Sequence, residues 1–561
     1  MQASQGMDTP QARRWWADGD TPVRSDSRVT YMVDGRTTML EMCRHYIKAR
    51  RYIYLADWGF TPTIELVRGQ DRRRGPDGSR EQEQYIDELR SDGLSEEDIS
   101  FWLTHDLTAR AVLGYAVSKG VEVRALLWKS DPLFSHYNPQ EAHQQLTEVG
   151  VTCILDDSAE GILHHPAESL HQKISVVDGT HAFVGGIDPL IESGGDYDRW
   201  DTHSHPFTTP LRRTPQGTTP HPWHDVHSII EGPAASDVEL NFRQRWNDVV
   251  ERHHMGKDLL IPDHPAPPPV QSQTIVQVAR TIPEHTYKFI TADGIAQLYA
   301  NALNNVQRFV YLENQYLWLR AYTGIDLPLL GKDSPDMEHN LRELGAALQR
   351  GAIVTIILPD HPNVGRAFTD AGLVRLREEA SEALEEGRLE AFCLATSTRQ
   401  NGRERYRPIY VHAKVAIIDD IWTTVGSANL NNRGMRDDTE MNVAALDADL
   451  AYNLRLMLQG EHLGLVHEED LFALSRMLAG QKQAMEEKER ALRVQRFLQE
   501  ALGDPLVALR KMHTCAWENL NRYKANQALV GHLLPYLTAQ EATQQGLNFR
   551  EEHGWLEEPD S

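Results

Sequence analysis

Two stretches of the chain carry histidine, lysine and aspartate at one common spacing. LHQKISVVDGTHAFVGGID begins at Leu170, and VHAKVAIIDDIWTTVGSAN begins at Val411. Both read H-x-K-x4-D-x6-G-[GS]. The first supplies His171, Lys173, Asp178, Gly185 and Gly186; the second supplies His412, Lys414, Asp419, Gly426 and Ser427. In an extended strand residues i and i+2 share a face, so each histidine projects beside its lysine. That pair suits an anionic substrate, the ammonium holding an anionic oxygen while the imidazole does chemistry. Each aspartate falls at the strand end, where it orients or neutralises a neighbour. The small Gly-Gly or Gly-Ser pair lets backbone and hydroxyl donors approach a phosphate closely. A lone strand histidine is more often structural, but two copies with one internal spacing argue for a shared site.

The elements that must position these residues also come in duplicate. Apolar, β-rich runs follow helical patterns at Arg51 to Phe60 and at Arg308 to Trp318. Second strands are expected at Val121 to Trp128 and Ala352 to Pro359, and third strands at Val151 to Leu155 and Leu389 to Leu394. Strands alternating with helical segments predict α/β folding. The expectation is two pseudo-symmetric α-β-α halves, each with a mixed central sheet, packed to form one shared active site, with a C-terminal helical extension. Five prolines in IPDHPAPPPV mark a linker at 261–270, because proline removes donors and enforces extension. The divisions are a flexible N-terminal tail (1–28), a first half (29–260), the linker, a second half (271–468) and a helical C-terminal region (469–561). The charge-rich stretch from Arg68 to Phe101 reads as a helical surface insertion in the first half.

Composition narrows the chemistry. Over 561 residues, 57 Lys+Arg against 81 Asp+Glu leave a net charge of −24. This opposes a general nucleic-acid binder, which needs a cationic footprint. Cys43, Cys153, Cys393 and Cys515 are far apart and form no CxxC pair, so they read as free buried thiols in a reducing compartment. No apolar h-region and no membrane-length apolar run is visible. The expected location is the cytoplasm or the periphery of a membrane, with export lacking a cleavable signal left open. Most of the 25 histidines, His164-His165 and His253-His254 among them, read as exposed polar residues, and no metal-ligand spacing appears.

The duplicated signature resembles the HKD motif of the phospholipase D superfamily, in which two copies build one active site. Further blocks extend the likeness from about residue 30 to 540: PWHDVHSIIEGPAASDVELNFRQRWN from Pro222, YLENQY from Tyr311, RWDTHSH from Arg199, GSANLNNRGMRDDTEMNVA from Gly426, and a late W…GHLL block. Together they resemble eukaryotic-type phospholipases D, here without room for a preceding C2, PX or PH module. Related readings are a phosphatidyltransferase of the cardiolipin synthase type, an HKD nuclease, an antibacterial phospholipase effector with a secretion or immunity partner, and a non-catalytic membrane-binding scaffold.

The resemblance implies hydrolysis of glycerophospholipid headgroup phosphodiesters to phosphatidic acid and free alcohol, with transphosphatidylation, through a phosphohistidine. It assigns His171 as nucleophile and His412 as general acid/base; the residues themselves do not order them. Lys173 and Lys414 would hold the non-bridging oxygens, with Asp178 and Asp419 completing the two catalytic trios. Asp201 and Glu440 would brace the histidines, each from the opposite half. Gly186, Ser427 and Asn429 would contact phosphate, Asp188 standing where Asn429 stands in the second copy. His224, Asp225, Glu313, Asn314 and Gln315 are expected to shape the site. No cofactor is required, calcium is left open but not indicated, and no metal site is expected. The implied partner is a phospholipid membrane surface rather than nucleic acid, with Trp15, Trp16, Tyr316, Trp318 and Tyr322 as candidate interfacial aromatics.

Overall fold

The computed structural model describes residues 15–19, 21–130, 137–160, 168–192, 196–214, 219–289, 291–320, 333–362, 365–550 and 554–556. It is a mixed α/β structure built on two sheets of matching plan. In the first, the strands run in the order Arg28–Val33, Val226–Glu231, His181–Gly185, Ile174–Val177, Tyr52–Asp57, Glu122–Trp128, Thr152–Asp156. In the second, the corresponding order is Ile275–Ile282, Glu440–Leu446, Trp422–Gly426, Lys414–Ile418, Phe309–Asn314, Ile353–Ile357, Leu389–Gln400. Four antiparallel pairings followed by two parallel ones recur in both. The repeat read from two short signatures is therefore a repeat of topology.

Side chains alternate across these strands, as the pleat requires. Ile53 and Leu55 face the outer helices of the first half, while Tyr52, Tyr54 and Ala56 face inward. Val310 and Leu312 face outward in the second half, and Phe309 and Tyr311 inward. The inward faces of both sheets meet in one continuous apolar cluster, which also takes in helices Ala235–Arg252 and Ala448–His462. The halves thus share a core; across it, the Tyr31 hydroxyl lies 2.6 Å from that of Thr423.

Three segments join the halves more closely than the linear division suggests. Strand Trp223–His224, from the first half, pairs in parallel with Arg403–Val411 of the second sheet. The late strand Leu533–Pro535 pairs with Leu389–Gln400, so the C-terminal region completes that sheet as well as adding helices. The tail expected to be flexible to residue 28 is instead tied down from Trp15 onward: Trp16 is buried, Trp15 stacks on Trp422, and the Ala17 amide donates to Gln277. Between Arg68 and Phe101 the chain is helical as expected, but Tyr85 and Leu89 pack into the first-half core.

Candidate active site

Each histidine enters the site where the backbone of its own half meets a strand of the other. The His171 amide donates to the Thr439 carbonyl at 3.0 Å, and the His412 amide to the His224 carbonyl at 2.8 Å. The next residue along each partner strand carries a carboxylate. Glu440 meets His171 Nδ1 at 2.9 Å, and Asp225 meets His412 Nδ1 at 2.7 Å. Both carboxylates are buried. A carboxylate on Nδ1 orients the ring and leaves Nε2 for chemistry.

This corrects one expectation. Glu440 braces His171 from across the interface, but Asp201 does not brace His412; Asp225 does. The Asp201 carboxylate instead accepts from Arg212 (3.0 Å), His205 (3.2 Å) and the Trp223 amide (2.9 Å), supporting the start of the PWHD segment. The internal symmetry identifies the true partner. Gly186 and Ser427 are equivalent, their amides donating to Val226 and Met441, the residues after Asp225 and Glu440.

The same symmetry reassigns the small pair. A Cβ on Gly186 would lie 2.0 Å from Asp225 Oδ1, so glycine is required there to admit the brace. Ser427 donates its hydroxyl to Glu440 and accepts from the Met441 amide. Both positions support a carboxylate rather than reach for phosphate. Asn429 does face the site: its amide lies 3.2 Å from Gln315 Oε1, and its Oδ1 is buried and has no hydrogen-bond partner among the described residues.

The two aspartates grouped with the catalytic trios sit at the opposite strand end from the lysines, five residues or about 16 Å away. Asp178 accepts from the amides of Arg50, Arg51 and Tyr52 at 3.0, 2.7 and 3.1 Å. Asp419 accepts from Gln307, Arg308 and Phe309 at 2.8, 2.7 and 2.8 Å. Each pins the turn that launches the central strand of its half. They are structural residues and do not reach the histidines.

Lys173 and Lys414 are buried beside their histidines. Lys173 donates to the His171 carbonyl at 2.8 Å and lies 3.5 Å from Asp188. Lys414 donates to the His412 carbonyl and to Gln315 at 3.1 Å. Carboxylate in one half and amides in the other give the lysines unequal surroundings. Burial lowers the Lys414 pKa to about 7, reinforced by the Lys173 charge and opposed by Asp225. Burial and the two lysines push His171 well below the ordinary imidazole value, and His412 falls for the same reasons. Burial raises Glu440 well above the carboxylate range and brings Asp225 up to about 6. The resting site thus disfavours extra protons on its rings until an anion enters.

Arg199, the first residue of RWDTHSH, also belongs to the site, though nothing in the motif spacing marks it. Its guanidinium lies 3.4 Å over the Trp223 ring and donates to Glu192 at 2.6 Å. Nε and Nη1 are buried and make no hydrogen bond among the described residues. Its charge acts on both His412 and Lys414. Glu313, Asn314 and Gln315 divide their roles. Gln315 reaches Lys414, the Asn314 side-chain Oδ1 accepts from the Leu430 amide at 3.0 Å, and Glu313 turns away to His224 and His462.

The proposed interfacial aromatics fare differently. Trp16 and Trp318 are buried, and Trp318 donates to Thr369. Tyr316 is half-buried against Trp318. Tyr322, like His164 and His165, lies outside the described residues. No helix among the described residues is long and apolar enough to cross a membrane.

Two duplicated α/β lobes, each lending a histidine and the brace for the other's histidine, define a protein with one composite site at a pseudo-two-fold axis. The family model described as "Phospholipase D" matches residues 46–323, and that described as "Cardiolipin synthase, PLD-like domain" matches residues 325–459. The chain belongs to the phospholipase D superfamily. It is 26% identical to phospholipase D alpha 1 of Zea mays over 551 residues, covering 76% of this chain and 63% of the relative. The corresponding protein of Oryza sativa subsp. japonica is also 26% identical, with 87% and 68% covered. The chain therefore spans less than two thirds of the maize relative's length. Among solved structures, a phosphatidylserine synthase of Haemophilus influenzae Rd KW20 aligns over 88% of this chain and 97% of its own, at 12% identity and a TM-score of 0.46.

Proposed function

We propose that the protein is a phospholipase D that cleaves the headgroup phosphodiester of glycerophospholipids at a membrane surface. The observation that carries the reading is the crossed bracing: each ring is oriented through Nδ1 by a buried carboxylate of the other half, leaving two Nε2 atoms for one phosphodiester. In the first step neutral His171 attacks phosphorus through Nε2, and protonated His412 gives its Nε2 proton to the departing headgroup oxygen. The P–O bond breaks as the P–N bond forms, leaving a phosphatidyl-histidine and neutral His412. In the second step His412 takes a proton from water or an alcohol, whose oxygen attacks phosphorus and releases His171. Water gives phosphatidic acid; an alcohol gives a new phospholipid.

Lys173, Lys414 and Arg199 supply positive charge to the non-bridging oxygens, acting in a low-dielectric site where such donors are most effective. The depressed pKa of His171 fits this scheme, while the equally depressed His412 needs the substrate's charge to take up its proton. His171 stays unprotonated as a nucleophile, and an incoming phosphodiester anion favours a proton on His412.

The test is incubation with phosphatidylcholine in the presence of ethanol. Choline and phosphatidylethanol should appear together, and their joint absence across detergent and calcium conditions would remove the reading. A second reading, phosphatidyl transfer of the cardiolipin synthase type, draws on the family match over residues 325–459. Phosphatidylglycerol as sole substrate separates the two: cardiolipin and glycerol favour transfer, phosphatidic acid and glycerol favour hydrolysis.

A further inference from the structure

The strand that leads into His412 begins in an arginine-rich hairpin that the reaction does not use. Leu389–Gln400 and Arg403–Val411 pair antiparallel across the turn Asn401-Gly402. Both turn residues take left-handed backbone, with φ of 50° and 80°, which an Asn-Gly pair adopts at little cost. At its base the hairpin is part of the sheet: Phe392 pairs with Ile357, which pairs with Glu313 at the strand end that reaches the site. From the Leu394–Ile409 pair to the Gln400–Arg403 pair, another six residues carry the hairpin about 20 Å beyond that end. It therefore projects on the same side of the sheet as the catalytic residues. One flank is packed on the C-terminal region. The Glu404 amide donates to Asn526 at 3.2 Å, the Tyr406 hydroxyl donates to the Gln527 carbonyl at 2.8 Å, and the Tyr406 ring lies 4.6 Å from that of Tyr523.

The chain as a whole is acidic, but here the balance is reversed. Segments 396–407 and 519–530, which meet at those contacts, carry Arg399, Arg403, Arg405, Arg407, Arg522 and Lys524 against one acid, Glu404. Alternation places Arg403, Arg405 and Arg407 on one face. Arg407 is occupied by Phe207, donating to its carbonyl at 3.0 Å with the guanidinium 4.6 Å over the ring. Arg403 and Arg405 are exposed and make no ion pair among the described residues. Arg399, its side chain 74% exposed, approaches Glu404 only to 4.0 Å. Charges that merely keep a strand from pairing can be of either sign. A row of one sign repels itself and suits an anionic partner. Val530, 53% exposed, adds an apolar side chain beside the arginines, its neighbour Leu529 donating to Ser397 at 2.9 Å.

We propose that this hairpin docks the protein on a leaflet containing anionic phospholipid, with Arg399, Arg403 and Arg405 as its contacts. The proposal rests on the lipid-cleaving reading, which gives the site a bilayer to face. Guanidinium forks pair with the phosphate and carboxylate oxygens of headgroups. An apolar side chain among them suits shallow insertion. A nucleic acid would need a longer cationic footprint, and the net charge of −24 opposes it. Arg405 stands seven residues, about 23 Å, from His412 along the strand, so the arginines act on the approach to the bilayer and not on the chemical step.

The test is co-sedimentation of the full-length chain with phosphatidylcholine vesicles, with and without phosphatidylserine. The chain carries His171→Ala so that turnover cannot alter the lipid. Tighter binding to the anionic vesicles is expected, and equal binding to both overturns the proposal. Each arginine beside an anionic leaflet strengthens binding about fivefold. Arg399→Gln, Arg403→Gln and Arg405→Gln together should therefore weaken it by about 100-fold, and a loss below about tenfold in folded protein overturns the contacts. Binding to the anionic vesicles should also fall steeply with salt, and salt-independent binding overturns the proposal even where the variant does not fold. Duplex DNA bound as tightly as the anionic vesicles overturns the choice of lipid. With His171 intact, the triple variant should cleave monomeric short-chain phosphatidylcholine within about twofold of wild type, and a larger fall overturns a role confined to docking. Wild-type protein that binds anionic vesicles as expected yet cleaves neither form of phosphatidylcholine removes the lipid-cleaving reading and leaves the docking result standing.

Discussion

Replacing Asp225 with asparagine isolates the most specific feature of the site. The side chain keeps its shape, and its oxygen can still accept from the Val226 amide, a bond of 2.8 Å in the native protein. What changes is the partner of His412 Nδ1. The buried 2.7 Å contact becomes an amide, which removes the charge that balances imidazolium and favours the wrong tautomer. At an effective dielectric of about 20, a unit charge pair at that distance is worth about 6 kcal/mol. That is an upper bound, because the lysines and Arg199 share the field. Allowing for this, a barrier increase of about 4–5 kcal/mol, or a fall in kcat of about 10³–10⁴-fold, is expected. The assay is choline release from phosphatidylcholine, run beside Asp201→Asn. The Asp201 variant should lose stability through its contacts to Arg212 and the Trp223 amide while its folded fraction keeps kcat within about tenfold. An Asp225→Asn enzyme within about tenfold of wild type would refute the bracing argument. So would an Asp201→Asn enzyme that loses three decades at unchanged melting temperature.

Further expectations follow from the same contacts. Gly186→Ala should abolish activity in folded protein, because the new methyl group occupies the place of Asp225 Oδ1; retained choline release would contradict this. Ser427→Ala should lower kcat about tenfold, the value of one buried hydrogen bond to Glu440, with KM little changed. Asp419→Ala should destabilise by about 2–4 kcal/mol in urea titration, since three amides lose a charged acceptor, yet leave the kcat of folded enzyme nearly intact. As pH rises through about 7, Lys414 loses its proton and kcat/KM should fall. Because its folded pKa lies below the unfolded value of about 10.4, the penalty of burying its charge is lost and stability should rise between about pH 7 and about pH 10.4. Lys414→Met should remove that part of the pH dependence of stability, and its persistence in the variant would refute the assignment.

The duplicated histidines and lysines were legible because a strand imposes a period of two, and because the motif occurs twice. The succession of strands along each half followed from the same repeat, but their order within the sheets did not. Asp225 is legible only as a residue that shapes the site, and its bracing role falls to Asp201 in the sequence, for a reason visible in the spacing: Asp225 lies 39 positions after Gly186, whereas Glu440 lies 13 after Ser427. The segment between Asp188 and Pro222 conceals the equivalence, and only the paired strands restore it. Asp178 and Asp419 looked catalytic because a motif records proximity in sequence; their carboxylates in fact hold backbone amides at the distant end of the strand. Trp16 and Trp318 looked interfacial because amphipathic rings suit a membrane, but the same surface suits a core.

The crossed bracing has a consequence for how the protein is made and how it fails. His171 leaves the ribosome long before Glu440, so a nascent chain carries an exposed imidazole without the group that directs it. Competence therefore waits until the second half has been made. The dependence also runs in reverse. A slight parting of the lobes withdraws both carboxylates at once, before either sheet comes apart. In a denaturant titration, phosphodiester cleavage should therefore vanish at a lower concentration than secondary structure, and coincident losses would contradict this account. The site would thus be silent both before its assembly is complete and as soon as it begins to loosen.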